Sequence, residues 1–153
     1  MITLKRCDSS DKDFGDLIKE LDKVLWSRYS DIQQQYDSFN KVDSIKNVVV
    51  AYINNSPVGC GAFKKFDGDT VEIKRMFVAE DNRGKGVALA ILNELELWAV
   101  ELNYNHAVLE TGRRLAEAMG LYTKQNYFIT ENYGQYIGME NSVCMKKSLR
   151  LEN

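Results

Sequence analysis

The stretch from Thr70 to Leu102 constrains the fold more than any other part of the chain. Val71 and Ile73 put an apolar face on odd positions, whereas Met76 and Val78 put one on even positions. Side chains of a strand alternate with a period of two, so a change of parity asks for one extra residue, a β-bulge near Lys74 to Met76. A central strand buried on both faces, where parity carries little meaning, fits the same residues. Glu80-Asp81-Asn82-Arg83-Gly84-Lys85-Gly86-Val87-Ala88 follows, and then Val87, Ala90, Ile91, Leu95, Trp98 and Leu102 recur at helical spacing. The chain therefore runs from a strand through a glycine-containing loop straight into a long amphipathic helix.

The other elements fall around this unit. Ile2 to Cys7 alternates as a strand, and Ser10 with Asp13 three positions on reads as a capping-box start for a helix. Phe14, Leu17, Ile18, Leu21 and Leu25 give that helix one buried face, with its end near Trp26 to Tyr29. A short helix is expected over Asp31 to Phe39. Val48 to Ile53 and Val58 to Phe63 flank Asn54-Asn55-Ser56-Pro57, which predicts an antiparallel hairpin. Ala107 to Leu109 reads as a short strand, Leu115 to Lys124 as a helix, and Tyr127 to Thr130 and Ser142 to Lys146 as closing strands. The sum is an α+β domain with helices packed on a mostly antiparallel sheet. At 153 residues, with a single proline and no Ser/Gly-rich stretch or repeat, residues 1–153 read as one domain.

Composition removes several functions. Lys+Arg 20 against Asp+Glu 22 leaves a formal net charge of -2, without the basic field that grips nucleic-acid phosphates. No apolar run approaches the roughly 20 residues of a membrane-spanning helix, and Met1 to Arg6 lacks the apolar stretch of a signal peptide, so a cytoplasmic protein is expected. Cys7, Cys60 and Cys144 are far apart and without CxxC spacing, and read as reduced, buried small hydrophobes. With 1 His, His106, a nucleophile–histidine triad has one candidate base and zinc sites with several His ligands are excluded. His106 begins a strand and reads as structural. Chemistry must come from carboxylates, Tyr, Lys or the backbone, and no metal is expected.

The loop offers a place for an anion. A helix start presents unpaired N–H groups and a partial positive charge, and Gly84 and Gly86 allow close approach to the backbone. Arg83 and Lys85 add cations, so a diphosphate fits. A glycine turn that caps the helix beside two solvated cations fits equally. A Rossmann fingerprint wants a third small residue where Leu89 stands, and no P-loop run occurs.

Glu72-Ile73-Lys74-Arg75-Met76-Phe77-Val78 followed by Arg83-Gly84-Lys85-Gly86-Val87-Ala88 resembles the central signature of the GNAT N-acetyltransferases, whose loop reads Arg/Gln-x-x-Gly-x-Gly/Ala after a bulged strand. Leu109-Glu110-Thr111-Gly112 and the run Ala118 to Phe128 resemble that family's next strand and its Ala-x-x-Leu-Tyr-x-x-x-Gly-Phe helix end. Tyr133 to Leu149 resembles the closing strand of many bacterial members. The resemblance covers about Val48 to Leu149. It implies a mixed, mostly antiparallel twisted sheet with a β-bulge and helices on both faces. Two positions depart from the pattern: Asn126 replaces the usual glycine, which Asn can do because it tolerates the left-handed conformation, and Leu115 stands where a polar residue often contacts the cofactor.

The resemblance further implies acetyl-CoA as donor, its pyrophosphate on the amides of Arg83, Gly84, Lys85, Gly86, Val87 and Ala88, and its pantetheine arm paired with Phe77 and Val78. The acceptor would be a primary amine of a small molecule or protein. An alkylammonium with a pKa near 10.4 holds its proton at neutral pH, so freeing the lone pair costs about 4–5 kcal/mol and a base helps. Glu72 is the candidate, acting directly or through water, and binding of the substrate cation is its other reading. Tyr122 matches the family position that hydrogen-bonds or protonates the leaving thiolate, with core packing as its other reading. Trp26, Tyr29, Tyr36, Tyr133 and Tyr136 either line an acceptor pocket or fill the core. A non-catalytic acyl-CoA-binding sensor is the competing function, and a homodimer through the C-terminal strands is common among similar proteins.

Overall fold

Two compact units emerge from the computed structural model, which describes residues 1–29, 44–113 and 116–150: Met1–Lys64 with Arg75–Leu95, and Lys65–Lys74 with Glu96–Asn153. The short helix expected over Asp31 to Phe39 lies outside the described residues, as do Tyr36 and Leu115.

In the first unit, β1 (Ile2–Cys7) pairs antiparallel with β2 (Asn47–Ile53), and β2 with β3 (Ser56–Lys65). Ile53 faces Ser56, so the hairpin turn is the pair Asn54-Asn55, shorter than the predicted four-residue connection. Both residues take positive φ, 51° and 64°, as a two-residue turn requires. Pro57 falls inside β3, where the register shifts between Ala51 and Tyr52.

Helix α1 (Lys12–Tyr29) lays Phe14, Leu17 and Ile18 on Val48, Val50, Cys60, Ala62 and Phe77. Its cap differs from the predicted one. Asp11 Oδ1 accepts the Phe14 amide at 3.0 Å, while Ser10 Oγ donates to Asp8 and not into the helix. Asp13 accepts the Tyr52 hydroxyl at 2.6 Å and so ties α1 to β2. The first residues of α2 (Val87–Glu101) pack on the opposite face, where Gly59 and Gly61 of β3 leave room for Val87, Ile91 and Leu95.

Strand β4 (Thr70–Val78) belongs to both units by sequence. Arg75, at its centre, has φ 61°, a left-handed residue inside a strand and the irregularity expected near Lys74 to Met76. Odd positions stay buried along the whole strand, Arg75 and Phe77 included, while Met76 reaches over Gly61.

The second unit orders its strands β4, β5 (His106–Gly112), β7 (Ser142–Ser148) and β6 (Phe128–Thr130). Thr70–Ile73 pair in parallel with His106–Leu109, and the β5–β7 and β6–β7 pairs are antiparallel. Helix α3 (Ala116–Lys124) ends on Asn126 at φ 73°, with the Tyr127 amide bonded to the Tyr122 carbonyl at 3.0 Å. Asparagine thus supplies the left-handed residue that closes the helix. Among the described residues no helix is long and apolar enough to cross a membrane.

Candidate active site

In the first unit, a single 3-10 turn (Glu80–Asn82) leads from β4 to the glycine loop. Gly84 and Gly86 have φ of 79° and 83°, values that L side chains seldom adopt, and a Cβ at either would meet nothing within 4 Å. The loop is therefore open to solvent above its backbone. The Ala90 amide donates to the Gly86 carbonyl at 3.1 Å, so the N–H groups of Val87, Ala88 and Leu89 precede the helical ladder. No acidic residue stands in the first turn of α2, which leaves its positive end uncompensated from within the helix. Val87 is buried and pins the turn to the core.

The two cations of the loop are partly engaged. Arg83 Nε donates to the Val78 carbonyl at 3.2 Å, and Lys85 Nζ donates to Asn82 Oδ1 at 3.4 Å. Arg83 is thereby laid back toward the end of β4, with its terminal nitrogens beyond the bonded Nε.

The second unit holds a separate cluster. Tyr133 donates its hydroxyl to Glu72 Oε2 at 2.7 Å, and Lys74 Nζ lies 3.8 Å from Glu72 Oε1. The Tyr133 ring meets Phe66 and Tyr136 edge-on, with centroids 4.9 and 5.7 Å away. Loss of surrounding water lifts the Glu110 carboxyl from its usual range to about 7; the Ser142 hydroxyl opposes the rise, the charge of Glu72 adds to it and that of Lys74 opposes it. Burial also holds the phenols of Tyr122, Tyr133 and Tyr136 well above their ordinary values, reinforced by the charge of Glu110 at Tyr122, of Glu72 at Tyr133 and of both carboxylates at Tyr136. Tyr122 is thus a neutral hydroxyl throughout the physiological range.

The sequence model of the acetyltransferase (GNAT) family matches residues 12–127. The chain belongs to the GNAT acetyltransferase family.

This acyltransferase is 31% identical over 135 residues to the IAA acetyltransferase of Azospirillum brasilense, a match that covers 87% of the chain and 88% of the relative. Among solved structures it is similar to a Klebsiella pneumoniae protein designated an acyl-CoA N-acyltransferase, with a TM-score of 0.81, 25% identity, and 98% and 99% of the two chains covered. A GNAT acetyltransferase from Elizabethkingia anophelis, solved with acetyl-CoA bound, shares the fold at a TM-score of 0.68 and 21% identity, over 96% and 97% of the chains.

Most of the residues singled out in this GNAT acetyltransferase lie among the described ones. Arg83 to Ala88 form the turn into α2, and Phe77 and Val78 end β4, Phe77 buried toward α1 and Val78 half-buried with its carbonyl toward Arg83. Glu72 lies in the cluster of the second unit, and Tyr122 is buried edge-on to Tyr127 at 5.7 Å. Trp26 is exposed. Glu110 received no role from sequence, although a carboxylate among Ala107, Val108, Leu109 and Thr111, all buried, was the available signal. Among the described residues no group of three or more His, Cys, Asp or Glu side chains is placed to hold a metal ion.

Proposed function

We propose that the chain transfers an acetyl group from acetyl-CoA to a primary amine by direct attack. The observation that carries this reading is the cluster of the second unit, in which Tyr133 at 2.7 Å and Lys74 at 3.8 Å hold the Glu72 carboxylate beside Glu110, whose carboxyl is raised by burial to about 7. The two neighbouring carboxylates divide their labour: Glu72, held by Tyr133, meets the acceptor's ammonium and Glu110 takes its proton. Direct attack is favoured because the thiols make poor nucleophiles, Cys7 and Cys60 being pushed up to about 11 and about 12, both mainly by burial.

The first unit fits the cosubstrate. The open backbone at Gly84 and Gly86 and the N–H groups of Val87 and Ala88 would receive the pyrophosphate, with Arg83 and Lys85 supplying charge. The polar backbone of Phe77 and Val78 would pair with the pantetheine arm. When bound, acetyl-CoA supplies the acetyl group in thioester-activated form. Tyr122, kept neutral by burial, would donate a hydrogen bond to the departing sulfur. The same reading takes residues 1–153 as one acetyltransferase domain, cytoplasmic and open to homodimer formation.

Titration calorimetry with CoA and acetyl-CoA, and CoA release on a panel of n-butylamine, phenethylamine, spermidine and a peptide N-terminus, test the reading. Uptake of acetyl-CoA with release on at least one amine is expected. Uptake without release on any of them selects the sensor, and no uptake by well-folded protein ends the assignment. Tyr122→Phe is expected to lower turnover about tenfold with CoA affinity unchanged, as loss of one charge-assisted hydrogen bond implies. An undiminished rate would take Tyr122 out of the reaction.

A further inference from the structure

We propose that Tyr133 is a positioning residue that fixes the Glu72 carboxylate for the acceptor amine, an inference that rests on the acetyl transfer proposed above. Glu72 has three side-chain torsions, and left to itself its carboxylate would sample several orientations. The Tyr133 hydroxyl holds Oε2 at 2.7 Å, and Lys74 Nζ stands 3.8 Å from Oε1. Both oxygens keep lone pairs for an ammonium, since an ionised carboxylate accepts about four hydrogen bonds.

The hydroxyl is itself held from behind. Asn132, the preceding residue, directs Nδ2 to the carbonyls of Tyr136, Met139 and Ser142 at 3.0, 3.2 and 3.1 Å, which closes the segment before β7 into a compact turn. The ring of Tyr133 is wedged edge-on between Phe66 and Tyr136. The chain thus joins Asn132 to the turn, the turn to Tyr133 and Tyr133 to Glu72, across 61 residues of sequence. Charged and titratable groups that share this surrounding are Lys74 from β4, Glu110 from β5, Tyr136 from the turn and Cys144 from β7.

Tyr133→Phe keeps the ring and removes the hydroxyl. With the amine of the panel that wild type uses best, it is expected to raise the amine KM about tenfold, with kcat within about twofold and the acetyl-CoA KM unchanged. Glu72→Gln is expected to raise the amine KM by at least as much, and adding Tyr133→Phe to it should change nothing further. An unchanged KM in Tyr133→Phe, or the same increment in both backgrounds, overturns the positioning role. If Glu72→Gln leaves the amine KM as in wild type, the inference falls although acetyl transfer stands. If wild type releases no CoA on the whole panel, the proposed function falls and the inference with it. A readout without any amine is available in tyrosine-labelled protein. The ring-carbon resonance of Tyr133 should move in Glu72→Gln while that of Tyr104 stays in place, and a Tyr133 signal that does not move also overturns the assignment.

Discussion

Replacing Glu110 with glutamine is expected to lower kcat about a hundredfold, the usual contribution of a positioned proton acceptor, and to stabilise the folded chain above pH 7. Both effects have one cause. The Glu110 carboxyl ionises at about 7 when folded, against 4.5 for the free side chain, because its surroundings withhold water from the charge. Between these values the unfolded chain has already ionised while the folded chain keeps its proton. The stability linked to Glu110 is therefore whole below pH 4.5 and is lost as pH rises through 7, by on the order of 2–3 kcal/mol. Glutamine is neutral at every pH and escapes this loss. Urea denaturation of wild type and Glu110→Gln at about pH 4 and pH 8 should show near-equal midpoints at the lower pH and a higher midpoint for the variant at the upper one. In turnover, the wild-type kcat/KM for the amine should rise with pH through about 7, and the variant should lack that step. A variant with wild-type turnover at pH 8 would remove Glu110 from the proton transfer.

Gly61→Val is expected to have the largest effect on the fold itself. A Cβ at position 61 would stand 2.5 Å from Met76 Sδ, 2.8 Å from Ile91 Cγ2 and 2.9 Å from Leu95 Cδ1. Three side chains from two elements would have to withdraw together, and two of them, Ile91 and Leu95, are fully buried in helix α2. Overpacking at one site costs about 1–3 kcal/mol, and a branched side chain against three neighbours should reach or exceed the upper value. Against a total stability of roughly 5–15 kcal/mol that is a severe loss. The glycine loop sits at the start of the same helix, so nucleotide uptake should decline together with the melting temperature. Gly120→Ala supplies the control. It stands exposed in helix α3 with nothing within 4 Å of its Cβ, and should be neutral or raise stability by up to about 1 kcal/mol. Thermal melts of both variants decide the matter, and a Gly61→Val protein as stable as wild type would contradict the packing argument.

Much of the β4–loop–α2 segment was readable from residues in sequence order. The irregularity expected near Lys74 to Met76 falls on Arg75, although the change of parity that suggested it does not occur and odd positions stay buried throughout. Gly84 and Gly86 take the left-handed conformation, and Asn126 was recognisable as a helix terminator. These are near-neighbour effects, set by sterics and side-chain period within a few residues, so the linear chain contains them. The cap of α1 was misjudged by one residue because Ser10 and Asp11 are both competent caps, and the choice depended on Asp8 capturing the serine hydroxyl.

The cluster around Glu72 was mostly illegible. Glu110 is raised from the usual carboxylate range by the water it loses when β5 is enclosed, and Glu72 meets Tyr133 only because the turn before β7 returns to β4. The sequence by itself determined the order of the described strands and long helices, the irregular residue of β4 and the glycine turn, since local backbone preferences suffice for those. Tertiary structure alone decided which carboxylate titrates near neutrality and which tyrosine holds the other, because dehydration and distant contacts arise only once the chain has packed.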